Sequence, residues 1–256
     1  MKLAELELHG LRIPFRGAFK HASAERTETE SVWVEARSAA GHVGYGESCP
    51  RAYVTGEDQA SVRDFFSRQH ESLLRIGDLV ALRSWMAENA DELDRAPAAW
   101  CAVELALLDL LSKEQGHSVE AALGLPELSG EFSYTAVIGD GELASFRLQL
   151  DRYIAFGFRD FKVKLSGEIE RDREKLAEFR RLAVEELRVR ADANNLWDCA
   201  DEAAEYLDAL DHPLFGIEEP LQPDDYPGLA ALAGCGTRII LDESLRRAEQ
   251  VQRIQG

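Results

Sequence analysis

From residue 132 onward the chain alternates strand-like and helix-like segments, and that alternation constrains the fold more than any other feature. Strand patterns fall at 132–138, 159–165, 187–192, 214–218 and 238–242; helical patterns fall at 142–156, 168–184, 199–210, 224–233 and 246–255. One strand, one helix and two short connections take roughly 25 residues. Strict β/α alternation predicts a parallel sheet with helical crossovers. Four of the strands end in a charged phrase: Phe161-Lys162-Val163-Lys164-Leu165, Ala191-Asp192-Ala193-Asn194, Ile217-Glu218-Glu219-Pro220 and Leu241-Asp242-Glu243-Ser244. Their key residues, 164, 192, 218 and 242, are spaced by 28, 26 and 24. Each unit therefore presents a charged side chain at the carboxyl end of its strand, on one rim.

The first part of the chain has a different rhythm. Leu3, Leu6 and Leu8 with Glu5 and Glu7 between them predict a strand over 2–9. Further strands are expected over 31–37 and 42–47, across the Ala40-Gly41 turn, which makes an antiparallel meander. From Gln59 the period becomes helical. Val62, Phe65 and Phe66 share one helix face, and Leu79, Leu82 and Met86 another. The most apolar helix is expected over 98–112, with Pro97 in its first turn and Gly116 at its end. A short helix over 118–123 stops at Gly124. The expected domains are an α+β domain over 1–125 and a β/α domain over 126–256.

A net charge of −18 with no long basic run makes nucleic acid and anionic membrane poor partners. Cys49, Cys101, Cys199 and Cys235 form no CxxC pair or zinc spacing, which predicts reduced thiols and a cytoplasmic protein. Glu5 and Glu7 interrupt any apolar signal region, and no run approaches the roughly 18 apolar residues of a membrane span.

Asp192, Glu218 and Asp242 are three carboxylates from three successive strand ends. They would repel one another without a cation, and hard oxygen ligands favour Mg²⁺ or Mn²⁺ over zinc. Lys162 and Lys164 alternate on one strand and point to the same face. Two close ammonium groups disfavour each other's charge, and together with a nearby metal this is expected to lower a lysine pKa toward the range of a general base. These parts suit one reaction. A metal holds a substrate carboxylate, Lys164 removes the proton α to it, and the metal stabilises the enediolate.

Taken in order, the four phrases resemble the enolase superfamily, in its muconate-lactonising-enzyme subgroup (the mandelate racemase/muconate lactonising enzyme family). The resemblance covers nearly the whole chain. Gly44-Tyr45-Gly46-Glu47 is similar to the family's Gly-x-Gly-Glu turn. It implies an α/β, enolase-like fold: an N-terminal α+β capping domain followed by a TIM-type (β/α) barrel. By that similarity Lys164 is the acid/base catalyst and Lys162 its electrostatic helper. Asp192, Glu218 and Asp242 hold the metal, and Asn194 lines the substrate site. Glu219 stands where relatives often carry Gln. Residues 16–29 match a mobile loop that covers the substrate. The substrate is a small carboxylate, and the family habit is a homo-oligomer, dimer or octamer.

The implied activity is an isomerisation: racemisation or epimerisation of a dipeptide or N-acylamino acid, or cycloisomerisation. Dehydration of the o-succinylbenzoate synthase type, a lyase reaction, shares the first step. Two other readings compete. Gly139-Asp140-Gly141-Glu142-Leu143-Ala144 fits the dinucleotide fingerprint with Asp160 about 20 residues on, which would make a nicotinamide-dependent oxidoreductase. Asp160, however, opens its strand rather than ending it. The third reading is a non-catalytic, truncated barrel.

Five β/α units do not close an eightfold barrel. The second catalytic lysine of the family would fall past Gly256, along with the last strands, which choose among the outcomes. The expectation is an intact protein longer by about 100 residues, the length of roughly three more units, and little turnover from these 256 residues alone. An intact mass equal to the 28.5 kDa of this chain counts against it.

Overall fold

The computed structural model describes residues 1–21, 24–52, 54–182, 184, 186–246 and 250–254, and of 16–21, 24 and 25 the backbone alone. The chain divides into two compact units, Met1–Gly130 and Glu131–Gly256.

In the first unit β1 (Leu3–Gly10) is followed by a hairpin of β2 (Pro14–His21) and β3 (Ala24–Glu28), then by β4 (Val32–Ser38) and β5 (Val43–Ser48). β1, β4 and β5 form one antiparallel sheet in the order β1-β4-β5, and β2 pairs with β3 apart from it. Most of the segment expected as a covering loop is thus strand in backbone; its residues 22–23 lie outside the described ones. Five helices follow: α1 (Gln59–Leu73), α2 (Leu79–Glu88), α3 (Ala90–Arg95), α4 (Pro97–Gln115) and α5 (Val119–Leu123). Asp58 and Ser61 close a reciprocal capping box on α1. Gly116 and Gly124 end α4 and α5 in left-handed conformations (φ +67° and +73°), which glycine adopts without a Cβ clash. The buried Glu57 carboxylate accepts the Ala98 and Ala99 amides at 2.7 and 3.0 Å, satisfying two orphan donors of α4.

The Gly-Tyr-Gly-Glu turn has a packing cause. Gly44 and Gly46 lie on one face of β5, against Ala106 and Ala102 one helical turn apart on α4. A Cβ on Gly44 would land on the Ala106 carbonyl oxygen, and one on Gly46 on that of Ala102. Helix and strand meet backbone to backbone, with Val34, Ala36, Val103, Leu107 and Leu110 fully buried around them.

The second unit is a five-stranded parallel sheet in chain order, β6 (Thr135–Ile138), β7 (Asp160–Lys164), β8 (Arg188–Asp192), β9 (Gly216–Glu218) and β10 (Ile239–Ile240). Between the strands run α6 (Leu143–Ala155), α7 (Ile169–Arg181), α8 (Ala200–Ala209) and α9 (Tyr226–Gly234); α10 (Val251–Ile254) follows β10. Residues 247–249 and 255 of the last expected helix lie outside the described ones. Ile138, Phe161, Val163, Val189, Ala191 and Ile217 point to one face and share a core with Phe146, Leu150, Leu176, Phe179 and Ala203 of α6, α7 and α8. The alternate residues, Lys162, Lys164, Arg190, Asp192 and Glu218, point to the other face. The register sets Lys164 beside Asp192, Asp192 beside Glu218 and Glu218 beside Ile240, so the charged strand ends form one row.

Replacing Gly46 by Ala is expected to destabilise the first unit by about 3 kcal/mol, because neither α4 nor β5 can move aside without breaking its own hydrogen bonds. Circular-dichroism melts of G46A beside Gly139→Ala, where the added Cβ meets open space, check it. Only G46A should lose several degrees.

Candidate active site

The site is built at the carboxyl ends of β7, β8 and β9. Lys162 sits one layer below the row. Its Nζ lies 2.5 Å from Glu218 Oε1 and 2.9 Å from Asp192 Oδ2. Lys164 Nζ donates to Asn194 Oδ1 at 2.7 Å and stands 3.7 Å from Asp192 Oδ2. Asp192 and Glu218 are both buried, at 2% and 7% exposed. Arg190, on the same face, approaches Glu218 Oε2 at 3.9 Å. Sequence reading passed over Arg190, although its two-residue offset from Asp192 already put it on this face.

Burial pulls the Lys162 pKa down, but the hydrogen bonds and charges of Glu218 and Asp192 outweigh it, and the net shift is upward. Two carboxylates beside this ammonium favour its charged form.

The loops after the strands are held by polar side chains. Asn194 N donates to Asp192 Oδ1 at 3.1 Å, and Asn194 and Asn195 both have positive φ (+47° and +62°), where Asn is tolerated better than most residues. Asn195 Nδ2 donates to the Leu221 carbonyl at 2.6 Å, tying the β8 loop to the β9 loop. After β7, the buried Asp172 carboxylate accepts the Ser166 amide and hydroxyl, the Gly167 amide and the Tyr206 hydroxyl. β10 is shorter than expected. It ends at Ile240 because the Asp242 amide turns to Glu219 Oε1, at 2.5 Å, rather than to a strand neighbour.

Two of the three expected ligands meet. Among the described residues no three His, Cys, Asp or Glu side chains stand close enough to share an ion. Asp192 and Glu218 converge on Lys162, while Asp242 is exposed and outside that pair. The donors that do converge fit a hard divalent cation: they are carboxylate oxygens from neighbouring strands, already gathered around one positive charge, the Lys162 ammonium. Glu243 was also passed over. Burial pushes its carboxyl pKa up, and the charges of Asp242, Glu219 and Asp192 push the same way.

The dinucleotide alternative meets a different environment. Asp140 in its glycine loop pairs with Lys175 and Arg171, and Asp160 pairs with Arg188 at the amino end of the sheet. Among the described residues no helix is long and apolar enough to cross a membrane.

Residues 145–255 match the family model described as enolase C-terminal domain-like. The L-Lys-D/L-Arg epimerase of Methylococcus capsulatus is 30% identical over 248 residues, 96% of this chain and 68% of that protein. The chain belongs to the enolase superfamily, in its muconate-lactonising-enzyme subgroup. An N-succinyl-L-Arg/Lys racemase of Bacillus cereus is 23% identical over 99% of this chain and 69% of its own. The crystal structure of the Methylococcus capsulatus dipeptide epimerase, complexed with Mg and the dipeptide L-Arg-D-Lys, superposes with a TM-score of 0.83. It is 27% identical and covers 99% of this chain and 71% of that one. The fold is thus the enolase-like one, a capping domain with a (β/α) barrel, and the chain is an isomerase of that superfamily. The matched residues 145–255 lie within the second unit.

Replacing Lys162 by Met is expected to destabilise the metal-free chain by about 3 kcal/mol at neutral pH, because two buried carboxylates lose their shared cation. A raised lysine pKa contributes stability that is fully present below the unfolded value of 10.5 and is lost as pH rises through the folded one. Urea unfolding should therefore separate K162M from the parent at pH 7, and by less at pH 11.

Proposed function

We propose that this enzyme removes the proton α to the carboxylate of a dipeptide or N-acylated amino acid with Lys164, and that a second acid–base group on the opposite face delivers a proton there, an epimerisation or racemisation that depends on Mg²⁺. The observation that carries the reading is the row of side chains at the strand ends: Lys164 held by Asn194, beside two buried carboxylates that already surround a positive charge.

Lys164 Nζ is the base. The Asn194 carbonyl oxygen accepts one of its N–H bonds, which leaves the nitrogen lone pair, once a proton is lost, to point elsewhere. Asn194 thereby orients the base and lines the substrate site. Asp192, Glu218 and Asp242 would hold Mg²⁺, which when bound supplies positive charge for the oxygen anion that forms as the α-proton leaves. Lys162 keeps its ammonium charge beside those carboxylates and limits their mutual repulsion, so the row stays folded before and after the proton moves. Burial of Asp192 and Glu218 excludes bulk water from the charged row and strengthens each of these interactions.

The relatives' names support the substrate class, since one is an L-Lys-D/L-Arg epimerase, another an N-succinyl-L-Arg/Lys racemase, and the Methylococcus capsulatus dipeptide epimerase is seen with Mg and a dipeptide. The four cysteines are free, one of them half-buried, as in a reducing compartment, and we place the enzyme in the cytoplasm.

Exchange of the α-proton for deuterium in D₂O tests the reading directly. A panel of dipeptides and N-succinylamino acids should exchange with Mg²⁺ and not with EDTA. Lys164→Ala should slow exchange by about 10³-fold while the far-ultraviolet spectrum stays that of the parent. Exchange that is indifferent to Mg²⁺, or to Lys164→Ala, would reject it.

A further inference from the structure

Glu219 follows a proposed metal ligand but takes no part in the row. It is fully buried, at 0% exposed, and has a positive φ of +39°, a strained conformation for a residue with a Cβ. Its carboxylate faces the loop after β10. Oε1 accepts the backbone amides of Asp242 at 2.5 Å and of Ser244 at 2.8 Å. Oε2 accepts the Ser244 hydroxyl at 2.8 Å, and Asn195 Nδ2 stands 3.5 Å away. Ser244 is fully buried as well. The backbone of Glu219 is held at both sides: its amide donates to Ile240 O at 3.1 Å, and its carbonyl accepts from Asn195 N at 2.7 Å.

From these bonds we infer that Glu219 is a positioning residue, the clamp that fixes the Asp242–Ser244 loop and so presents the Asp242 side chain at the strand-end rim. The inference rests on the proposed metal role of Asp242 for its consequence, but not for its geometry. β10 supplies only Ile239 and Ile240 to the ladder, so the sheet itself stops two residues short of Asp242. Beyond that point both amides flanking Glu243 bond to one carboxylate oxygen. A buried carboxylate with no cation against it is stable only when hydrogen-bond donors replace its water, and here three to four do so. The positive φ turns the chain so that the Glu218 side chain serves the row while the Glu219 side chain turns to the loop.

The clamp needs an oxygen acceptor at Oε1 and not the charge. Glu219→Gln keeps that oxygen, and its amide nitrogen can donate to Ser244 Oγ; Glu219→Ala removes the acceptor and orphans two amides. Two readouts on the full chain separate the clamp from the metal role. The first is amide hydrogen exchange without metal. Exchange at the Asp242 and Ser244 amides should quicken by at least about tenfold in E219A and stay near the parent in E219Q. The second is Mn²⁺ affinity by electron paramagnetic resonance, which should weaken about tenfold or more in E219A and within about threefold in E219Q.

Unchanged exchange at these two amides in folded E219A overturns the clamp, as does E219Q behaving like E219A. If E219A does not fold, Ser244→Ala decides: it deletes the hydroxyl link, and exchange at the two amides should rise about threefold, with no rise overturning the clamp. A parent chain that binds no Mn²⁺ rejects the metal reading, whereas the exchange arm still decides whether Glu219 holds the loop.

Discussion

The second unit depends on one buried ion cluster, the Lys162 ammonium between Asp192 and Glu218. Two carboxylates on neighbouring strands of a parallel sheet repel at this distance, and burial makes the repulsion stronger by lowering the effective dielectric. A cation between them is required for the register to close. The apolar face of the same strands, Phe161, Val163, Ala191 and Ile217, pins that register from the other side. A slip of one residue would turn the charged row into the helix layer and the apolar row out of it, which is too costly to compete. The ion cluster and the helix-covered core thus specify the same alignment from opposite faces.

Around that row, the loops are controlled by short polar side chains rather than by apolar packing. Asp172 secures the loop after β7, Asn194 and Asn195 the loop after β8, and Glu219 the loop after β10. Asp172, Asp192 and Glu219 accept backbone amides, and Asn195 donates to the Leu221 carbonyl, where the ladder stops, and these bonds convert the ragged edge of a parallel sheet into fixed geometry. The positive φ angles of Asn194, Asn195 and Glu219 fall in these same turns. A site that must present several charges within a few ångströms needs supporting bonds of this kind, since a loop free to move by about 1 Å would lose the alignment.

Much of the fold was legible because its signals are local. Alternation of period two and period 3.6 marks most strands and helices of both units; it does not mark β2 and β3, which lie in a polar segment without apolar alternation, nor α3, because Ala90–Arg95 is a single polar turn with no buried residue. The Gly44 and Gly46 pair was legible as a motif, but its cause, backbone contact with Ala102 and Ala106 some sixty residues away, was not. In the site, Lys162, Lys164, Asp192, Asn194 and Glu218 were all placed on one rim, and they meet there. Asp242 was placed on the same rim, yet it leaves the ladder because its amide finds Glu219. The sequence shows that two lysines share a face, but not that the carboxylates of the next two strands close on Lys162 and hold its ammonium form.

The sequence by itself determined the β/α order, the superfamily, the residue types at the strand ends and the face on which each falls, because these follow from spacing along one chain. Only the tertiary structure decided which charges touch. Lys162 bridges two carboxylates, Lys164 pairs with Asn194, and Glu219 turns away from its neighbour to hold a loop 23 to 25 residues further on. Those choices come from interstrand register and from where unpaired amides end up, quantities fixed by hydrogen bonds between distant segments and by no local pattern.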